Sequence, residues 1–498
     1  MSSIVALASV VAALSPAGAS VSPQRVAVIV LAPDAPVFVS REAAHGLVVP
    51  GEGATVTRRG ALASLLRGEA GNALVRGGLP GGEAQISLAR TPARTTFYVA
   101  LPPPGEHHNV VRYPIAVAGP GYHGILTSSS TRLPGLVSIA DVAPSVQALR
   151  RGDRPRIRSQ PEDDPLSRLA RLDTRLDRAH DSRVPAAIVL VALTASLGLL
   201  ALMTRRATLG RAAFVAAPSC IAVAVVLSAV GATTPWVAVT VLAIASGTLA
   251  LATGALLRPG LPLALGLAAL FAFLFVVMWA EPAWNTLAVI GPHPDGGGRF
   301  YGVTNQVETL LLAPALVLGA LLGVRALPAI ALLIAAGVAA SRVGADGGGL
   351  LVYVAAFLTL GLRLRRAGPA RAAVAVGLAA SAALALVGID AATGGSSHVT
   401  RAVGGGPDSL LGDLGHRLHL SGASIASTWN NGALFGAGIA ALFWLALRRP
   451  RLAVLDGVLA GLAVSLVVND TPADVAGYGA LSALVLSTWL GRTGDRLD

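Results

Sequence analysis

The chain of 498 residues is 54% hydrophobic and only 13% charged, with a mean hydropathy of +0.67. That balance excludes an ordinary soluble protein and predicts a polytopic α-helical membrane protein of about 11 transmembrane helices with a small N-terminal extracytoplasmic α/β domain. The net charge of +12 rests on arginine alone, a bias expected of cytoplasmic loops rather than of a nucleic-acid binder, and the single cysteine, Cys220, excludes an internal disulfide.

The first 19 residues read as a signal peptide: a short apolar core followed by Ala17-Gly18-Ala19. About 11 apolar residues are too few to cross a bilayer. Residues 20–148 read as an exported α/β domain. Its segments "RVAVIVLAP" (25–33) and "TTFYVAL" (95–101) have the β-branched content of strands, and turns such as "LPPPG" and "AGPGYHG" separate them. Residues 149–183 form a charged linker. Within it Asp164 is placed to cap a juxtamembrane helix, and Leu166, Leu169, Leu172 and Leu176 fall on roughly one face.

From Val184 onward apolar segments recur at 184–203, 211–230, 236–256, 261–280, 305–323, 326–341, 348–362, 372–389, 428–446, 452–468 and 473–490. With an exported start, eleven crossings put the C-terminus in the cytoplasm of a cell whose plasma membrane holds the protein. Arginine agrees with that alternation. Fourteen fall in the loops expected inside, against four (Arg299, Arg342, Arg401, Arg417) in those expected outside.

Acidic residues have the opposite bias. Beyond Val184, nine lie on the outer side (Glu281, Asp295, Glu308, Asp346, Asp390, Asp408, Asp413, Asp470, Asp474) and three on the inner (Asp456, Asp495, Asp498). Five polar segments therefore share the outer face: "WAEPAWN" (279–285), "GGGRFYGVTNQVE" (296–308), "SRVGADGGG" (341–349), "GDLGHRLHLSG" (412–422) and "VVNDTPADVAGYG" (467–479). Ionisable groups at a span boundary cost free energy and persist where they face a cavity, water or a partner. The five segments predict one outward-facing pocket.

One stretch of the exported domain, "YPIAVAGPGYHGILTSSSTRLPGLVSIADVAPSVQAL" (113–149), resembles the end of alkaline-phosphatase/sulfatase-superfamily domains, through Thr131, Arg132, Pro134, Gly135, Leu136, Val137, Asp141, Ala143 and Pro144. The whole chain is similar to uncharacterised bacterial membrane proteins that join such a domain to many spans. Those carry an "RFYGIGNE"-like motif, matched by Arg299 to Asn305 with Thr304 in place of Gly and Gln306 in place of Glu. They also carry an "NDSGI"-like motif, matched by Asn469-Asp470-Thr471-Pro472. The superfamily's two-metal chemistry needs several Asp and His and a Ser/Thr nucleophile. Here the opening strand gives only Asp34 and no Asp-His-Gly triplet follows, so the resemblance implies a shortened, catalytically silent relative, with His107 and His108 beside Asp34 as residues to test.

The expected chemistry is that of a transferase, ligase or polymerase acting on a lipid-linked, phosphate-containing cell-envelope glycan. Glu308, Asp346 and Asp470 are the candidate general bases. Arg299 and Arg342 are the candidate phosphate fork, and Tyr301, Asn305, His416 and Asn469 the further substrate contacts. His416 and His419 lie three apart, a spacing that suits a divalent metal, but no third ligand stands beside them, and no cofactor is expected. Partners would be membrane lipid, the lipid-linked substrate and envelope-synthesis proteins. Two other classes fit the same residues: a transporter or flippase with the acids as a coupling relay, and a non-catalytic scaffold.

Overall fold

The computed structural model describes residues 23–33, 42–70, 83–232, 234–296, 298–392, 415, 418–419, 421–449 and 451–492. The expected signal peptide, Asp34, Asp413, His416 and Arg417 lie outside the described residues. Two compact units result. One runs to Asp181 and also takes in Pro292–Tyr301; the other comprises Ser182–Gly291 and the chain from Gly302 onward.

The N-terminal unit is a seven-stranded mixed sheet with a small side sheet. Its strands are β1 (Val26–Leu31), β2 (Ala44–Val49), β3 (Thr55–Thr57), β4 (Thr95–Ala100), β5 (Glu106–His108), β6 (Tyr113–Ala118), β7 (Gly124–Ser128), β8 (Leu136–Ser138) and β9 (Ile157–Gln160). The main order is β1-β4-β6-β2-β7-β9, with β8 on β2 and with β3–β5 apart. β1 and β4 run parallel, pairing Val26 with Thr95 through to Leu31 with Ala100. Both are runs of β-branched and aromatic residues, which suits a buried pleated surface. Helices α1 (Arg58–Arg67) and α2 (Val142–Arg151) add Leu65, Val142, Val146 and Leu149 to a core of Val28, Phe97, Val99, Ile115, Val117, Leu126 and Ile139. Each helix ends on a glycine with positive φ, Gly68 at 70° and Gly152 at 81°, the conformation that closes the last turn. The charged segment 149–183 supplies β9, which pairs antiparallel with β7 from Ile125–Gln160 to Ser128–Ile157.

Helix α3 (Pro165–Thr204) is one continuous 40-residue helix. Asp164 caps it, its Oδ1 accepting from Ser167 N at 3.2 Å. Leu169, Leu172 and Leu176 are buried in the N-terminal unit, whereas Leu166, expected on the same face, is 49% exposed because it lies in the first turn, beyond the core.

The helical unit adds α4 (Ala207–Ala229), α5 (Pro235–Leu256), α6 (Leu261–Ala280), α7 (Pro282–Thr286), α8 (Asn305–Leu322), α9 (Leu327–Ala339), α10 (Gly347–Leu364), α11 (Pro369–Ala392), α12 (Trp429–Leu447), α13 (Ala453–Val468) and α14 (Pro472–Arg492). Among the described residues nine helices are long and apolar enough to cross a membrane: α3, α4, α5, α6, α8, α10, α11, α12 and α14. The shorter apolar helices α9 and α13 occupy the remaining two segments read as spans. This is the make-up of a membrane protein. Helix α8 is central, 78% buried over its apolar window and packed against α4, α6, α9, α10, α13 and α14, whereas α11 is only 6% buried.

Candidate functional site

In the helical unit, four element ends meet where the sequence places its acids. Thr304 caps α8, its hydroxyl accepting from Val307 N at 3.2 Å, and sets Glu308 in the first turn. The Glu308 side chain is fully buried. Its Oε1 accepts from Ser465 Oγ at 3.3 Å and its Oε2 from Asn469 Nδ2 at 3.2 Å. The same Nδ2 donates to Ser465 Oγ at 2.7 Å, which closes a ring of three side chains. Tyr353 of α10, also buried, donates its hydroxyl to the Glu308 backbone carbonyl at 3.2 Å. A carboxylate in a spanning helix is costly, and donors of this kind, each worth about 1.5–3 kcal/mol to a charged acceptor, offset that cost.

Asp346 caps α10: its Oδ1 accepts from Gly349 N at 3.2 Å, and its own N–H reaches Val338 O at 2.9 Å. Glycine makes the approach possible. A Cβ on Gly348 would stand 2.8 Å from Asn469 Oδ1. At Gly302, φ is +86°, and a Cβ would stand 2.1 Å from Gly344 O, the atom that accepts from Val303 N at 2.8 Å. Only glycine fits that crossing of two backbones. Asn285 Nδ2 donates to Gly302 O at 2.8 Å from the side, and fixes the entry to α8.

At the rim of this arrangement Asp470 is exposed. Asn305 Nδ2 holds its Oδ1 at 2.8 Å and Thr471 Oγ1 at 3.0 Å. Ser421 Oγ donates to Asn469 O at 3.0 Å and ties in the segment before α12. Arg342 is exposed in the connection between α9 and α10; next to it Ser341 donates to Asp390 of α11 through N–H at 2.9 Å and Oγ at 2.5 Å.

Glu308, Asp346, Asp470, Asn305 and Asn469 are thus brought together, with Arg342 four residues before Asp346. Arg299 and Tyr301 are placed with the N-terminal unit. There His293 and Arg299 pair as an antiparallel bridge, and Asn109 Nδ2 donates to Gly51 O, Gly53 O and Gly296 O at 2.9–3.0 Å. His180 Nδ1 lies 2.6 Å from Asp295 Oδ2, and the Arg132 guanidinium sits 4.3 Å over the Tyr301 ring. His416 lies outside the described residues. Among the described residues no group of three or more His, Cys, Asp or Glu is placed to hold a metal.

The stretch 113–149 of the N-terminal unit has architectural duties. Buried Asp141 accepts from the hydroxyls of Ser128 and Ser130 and lies 3.7 Å from Arg156 Nη1. Burial pushes its carboxyl above the ordinary range, against the pull of the two serines and the arginine. Thr131 Oγ1 donates to Leu136 O at 2.6 Å, and Gly135, with φ of 98°, leaves room for Leu169 and Leu172 of α3.

Two participants were absent from the sequence expectation: Ser465 and Tyr353. For Ser465 the signal was available. Gly457, Gly461, Ser465 and Asn469 recur every four residues, one stripe of a helix. The glycines admit α8 and α10 closely, with Cβ positions 3.0 Å from Ala356 O at Gly457 and 2.9 Å from a Leu312 methyl at Gly461, and the stripe then ends in the two donors of Glu308. No family model, curated protein or solved structure matches the chain.

Proposed function

We propose that this is an eleven-span plasma-membrane enzyme that transfers a group from a lipid-linked, phosphate-containing envelope precursor to an acceptor hydroxyl. The N-terminal unit and the Glu308 end of the bundle lie outside, and the C-terminus lies in the cytoplasm. The observation that carries the reading is the exposed Asp470 carboxylate, held by Asn305 through one oxygen on a base of buried Glu308, Asn469 and Ser465. Asp470 is the general base. It takes the acceptor's proton as the new bond forms to the transferred group, and the lipid phosphate leaves with the electron pair of the bond that breaks. Arg342 neutralises charge on that phosphate. Glu308 and Asp346 are positioning residues, since both are buried.

The transporter reading is weaker on the same page. Below Glu308 and Tyr353 the interface of α8, α10 and α13 is Leu312, Leu316, Ala356, Leu360, Gly457 and Gly461. A coupling relay would need polar groups through that layer.

The test is a profile of lipid-linked envelope intermediates in a deletion strain, complemented with the wild type, Asp470→Asn or Arg342→Ala. One intermediate should accumulate in the deletion and persist with Asp470→Asn, a base loss being worth roughly 10²–10⁴ in rate. An unchanged pool in the deletion strain would sink the enzyme reading.

A further inference from the structure

At the end of α13 away from Glu308, one carboxylate gathers arginines from two segments. Asp456 stands in the first turn of α13, and its side chain is only 12% exposed. Arg363, near the end of α10, reaches its Oδ2 through Nε at 2.7 Å. Arg451, just before α13, brings its Nε to 3.9 Å from the other oxygen. Arg451 also donates from Nη2 to Ala446 O at 2.7 Å, which ties it to the last turn of α12. That turn ends on Arg448, whose guanidinium sits 4.5 Å over the Trp444 ring. Three guanidiniums are thus anchored around the end of α12, by a carboxylate, a carbonyl and an indole.

Asp456 balances one of these three charges and leaves two over. It also leaves donors over. Among the described residues Arg363 binds through Nε alone, and Arg448 makes no hydrogen bond. An arginine that serves only to orient a span stays hydrated in its loop. These are held in place instead, so an incoming anion has less side-chain freedom to remove. Their planar N–H groups fit the oxygens of a phosphate. Beside them, Phe443 and Leu447 are exposed and lie one turn apart on α12, a helix long and apolar enough to cross a membrane. Such side chains meet acyl chains in a bilayer. Basic groups above an apolar helix face match a ligand that has an anionic head and an apolar tail, and basic pockets between spanning helices take lipid headgroups in this way.

We propose that Arg363, Arg448 and Arg451 form a headgroup site for an anionic phospholipid. The lipid phosphate takes the open N–H groups of Arg363 and Arg448, and an acyl chain runs along Phe443 and Leu447. The proposal is independent of the role of Asp470.

The experiment titrates the full chain, in a neutral detergent, with phosphatidylglycerol or phosphatidylcholine and reads bound lipid by native mass spectrometry. The wild type should retain one phosphatidylglycerol roughly tenfold more tightly than phosphatidylcholine. Arg448→Ala and Arg363→Ala should each remove most of that preference. Arg448 makes no hydrogen bond, so its variant should keep the wild-type melting temperature and isolates the lipid effect from folding. Arg258→Ala takes the same charge from the turn between α5 and α6 and should leave the preference unchanged. Equal affinity for the two lipids in the wild type would overturn the anionic headgroup. An unchanged preference in both site variants, or an equal loss from Arg258→Ala, would overturn the location. Glycerol phosphate displacing the lipid at an equal concentration would overturn the acyl contact.

Discussion

In the N-terminal unit Asp141 is buried beneath two serine hydroxyls, and a half-exposed arginine, Arg156, stands 3.7 Å away. In the helical unit Glu308 is buried as well, and two donors to its carboxylate oxygens, Ser465 and Asn469, come from one stripe of a neighbouring helix. The difference is one of solvent. A water-facing sheet can bring an arginine to a buried acid from its surface, because the arginine's far end stays hydrated. Within a spanning bundle donors have to come from helices already packed, so small residues first create the close approach. Glycine serves both units in two ways. Gly68 and Gly152 of the N-terminal unit serve turns through positive φ, Gly457 and Gly461 of the helical unit serve contact, and Gly135 and Gly302 combine the two.

The largest expected effect breaks the helical side of this comparison. Gly302→Ala puts a Cβ 2.1 Å from a backbone oxygen at a φ of +86°, and neither neighbour is a flexible side chain. Overpacking and left-handed strain together predict a loss on the order of 3–5 kcal/mol. Extracted protein should show no monodisperse peak in detergent size exclusion. A normal peak with an unchanged melting temperature would mean that the Gly302–Gly344 crossing does not hold the site.

Next is the ion network of the N-terminal unit. Arg112 is buried and joins Asp173 and Asp177 at 2.6 Å each, while both acids stay partly exposed. Arg112→Met should cost about 2 kcal/mol, less than a fully buried network, because the two acids can be rehydrated. Hydrogen exchange should rise in β6 and in the first turns of α3 and leave α8 and α13 as they were.

These two cases also mark what could be read from the chain. The apolar segments were legible because a bilayer imposes a length and a composition on a spanning helix; among the described residues nine of them coincide with helices long and apolar enough to cross a membrane, and the other two with the shorter helices α9 and α13. Asp346, Asp470 and Asn469 were legible as polar groups that lipid would not tolerate without a reason. Ser465 was missed because a lone serine in an apolar helix carries no such penalty; only its four-residue spacing from Gly461 and Asn469 betrays it. The grouping of Arg299 and Tyr301 with the N-terminal unit was illegible. It depends on Asn109, Arg132 and His180, which lie more than a hundred residues away and bind through backbone carbonyls, a ring and one carboxylate.

A smaller effect turns on pH. The Asp141 carboxyl lies above its ordinary value of 3.8 in the folded unit because burial disfavours its charge. A folded-state value raised above the unfolded one gives stability that is present below 3.8 and is lost as pH rises through the folded value. Asp141→Asn carries no such penalty. The variant should therefore gain on the wild type at neutral pH, with the gap closing as pH falls through the raised folded value toward 3.8, read as protection of β7 and α2 amides. A gap that widens toward acid would mean that the Arg156 attraction outweighs burial.

The smallest effect sharpens the comparison most directly, because the same residue does the same task in both units. Thr57 caps α1 through Gly60 N at 3.0 Å in an exposed position, and Thr304 caps α8 through Val307 N at 3.2 Å in a half-buried one. An exposed N–H that loses its cap is taken up by water, so Thr57→Ala should cost about 0.5–1 kcal/mol. At Thr304 water is less available and the freed donor lies one residue before Glu308, so Thr304→Ala should cost about 1–2 kcal/mol. Melting of each full-length variant decides the matter. If the two losses are equal, solvent reaches the first turn of α8 as freely as it reaches α1, and the helical unit keeps its acids by hydration rather than by the donors of α13.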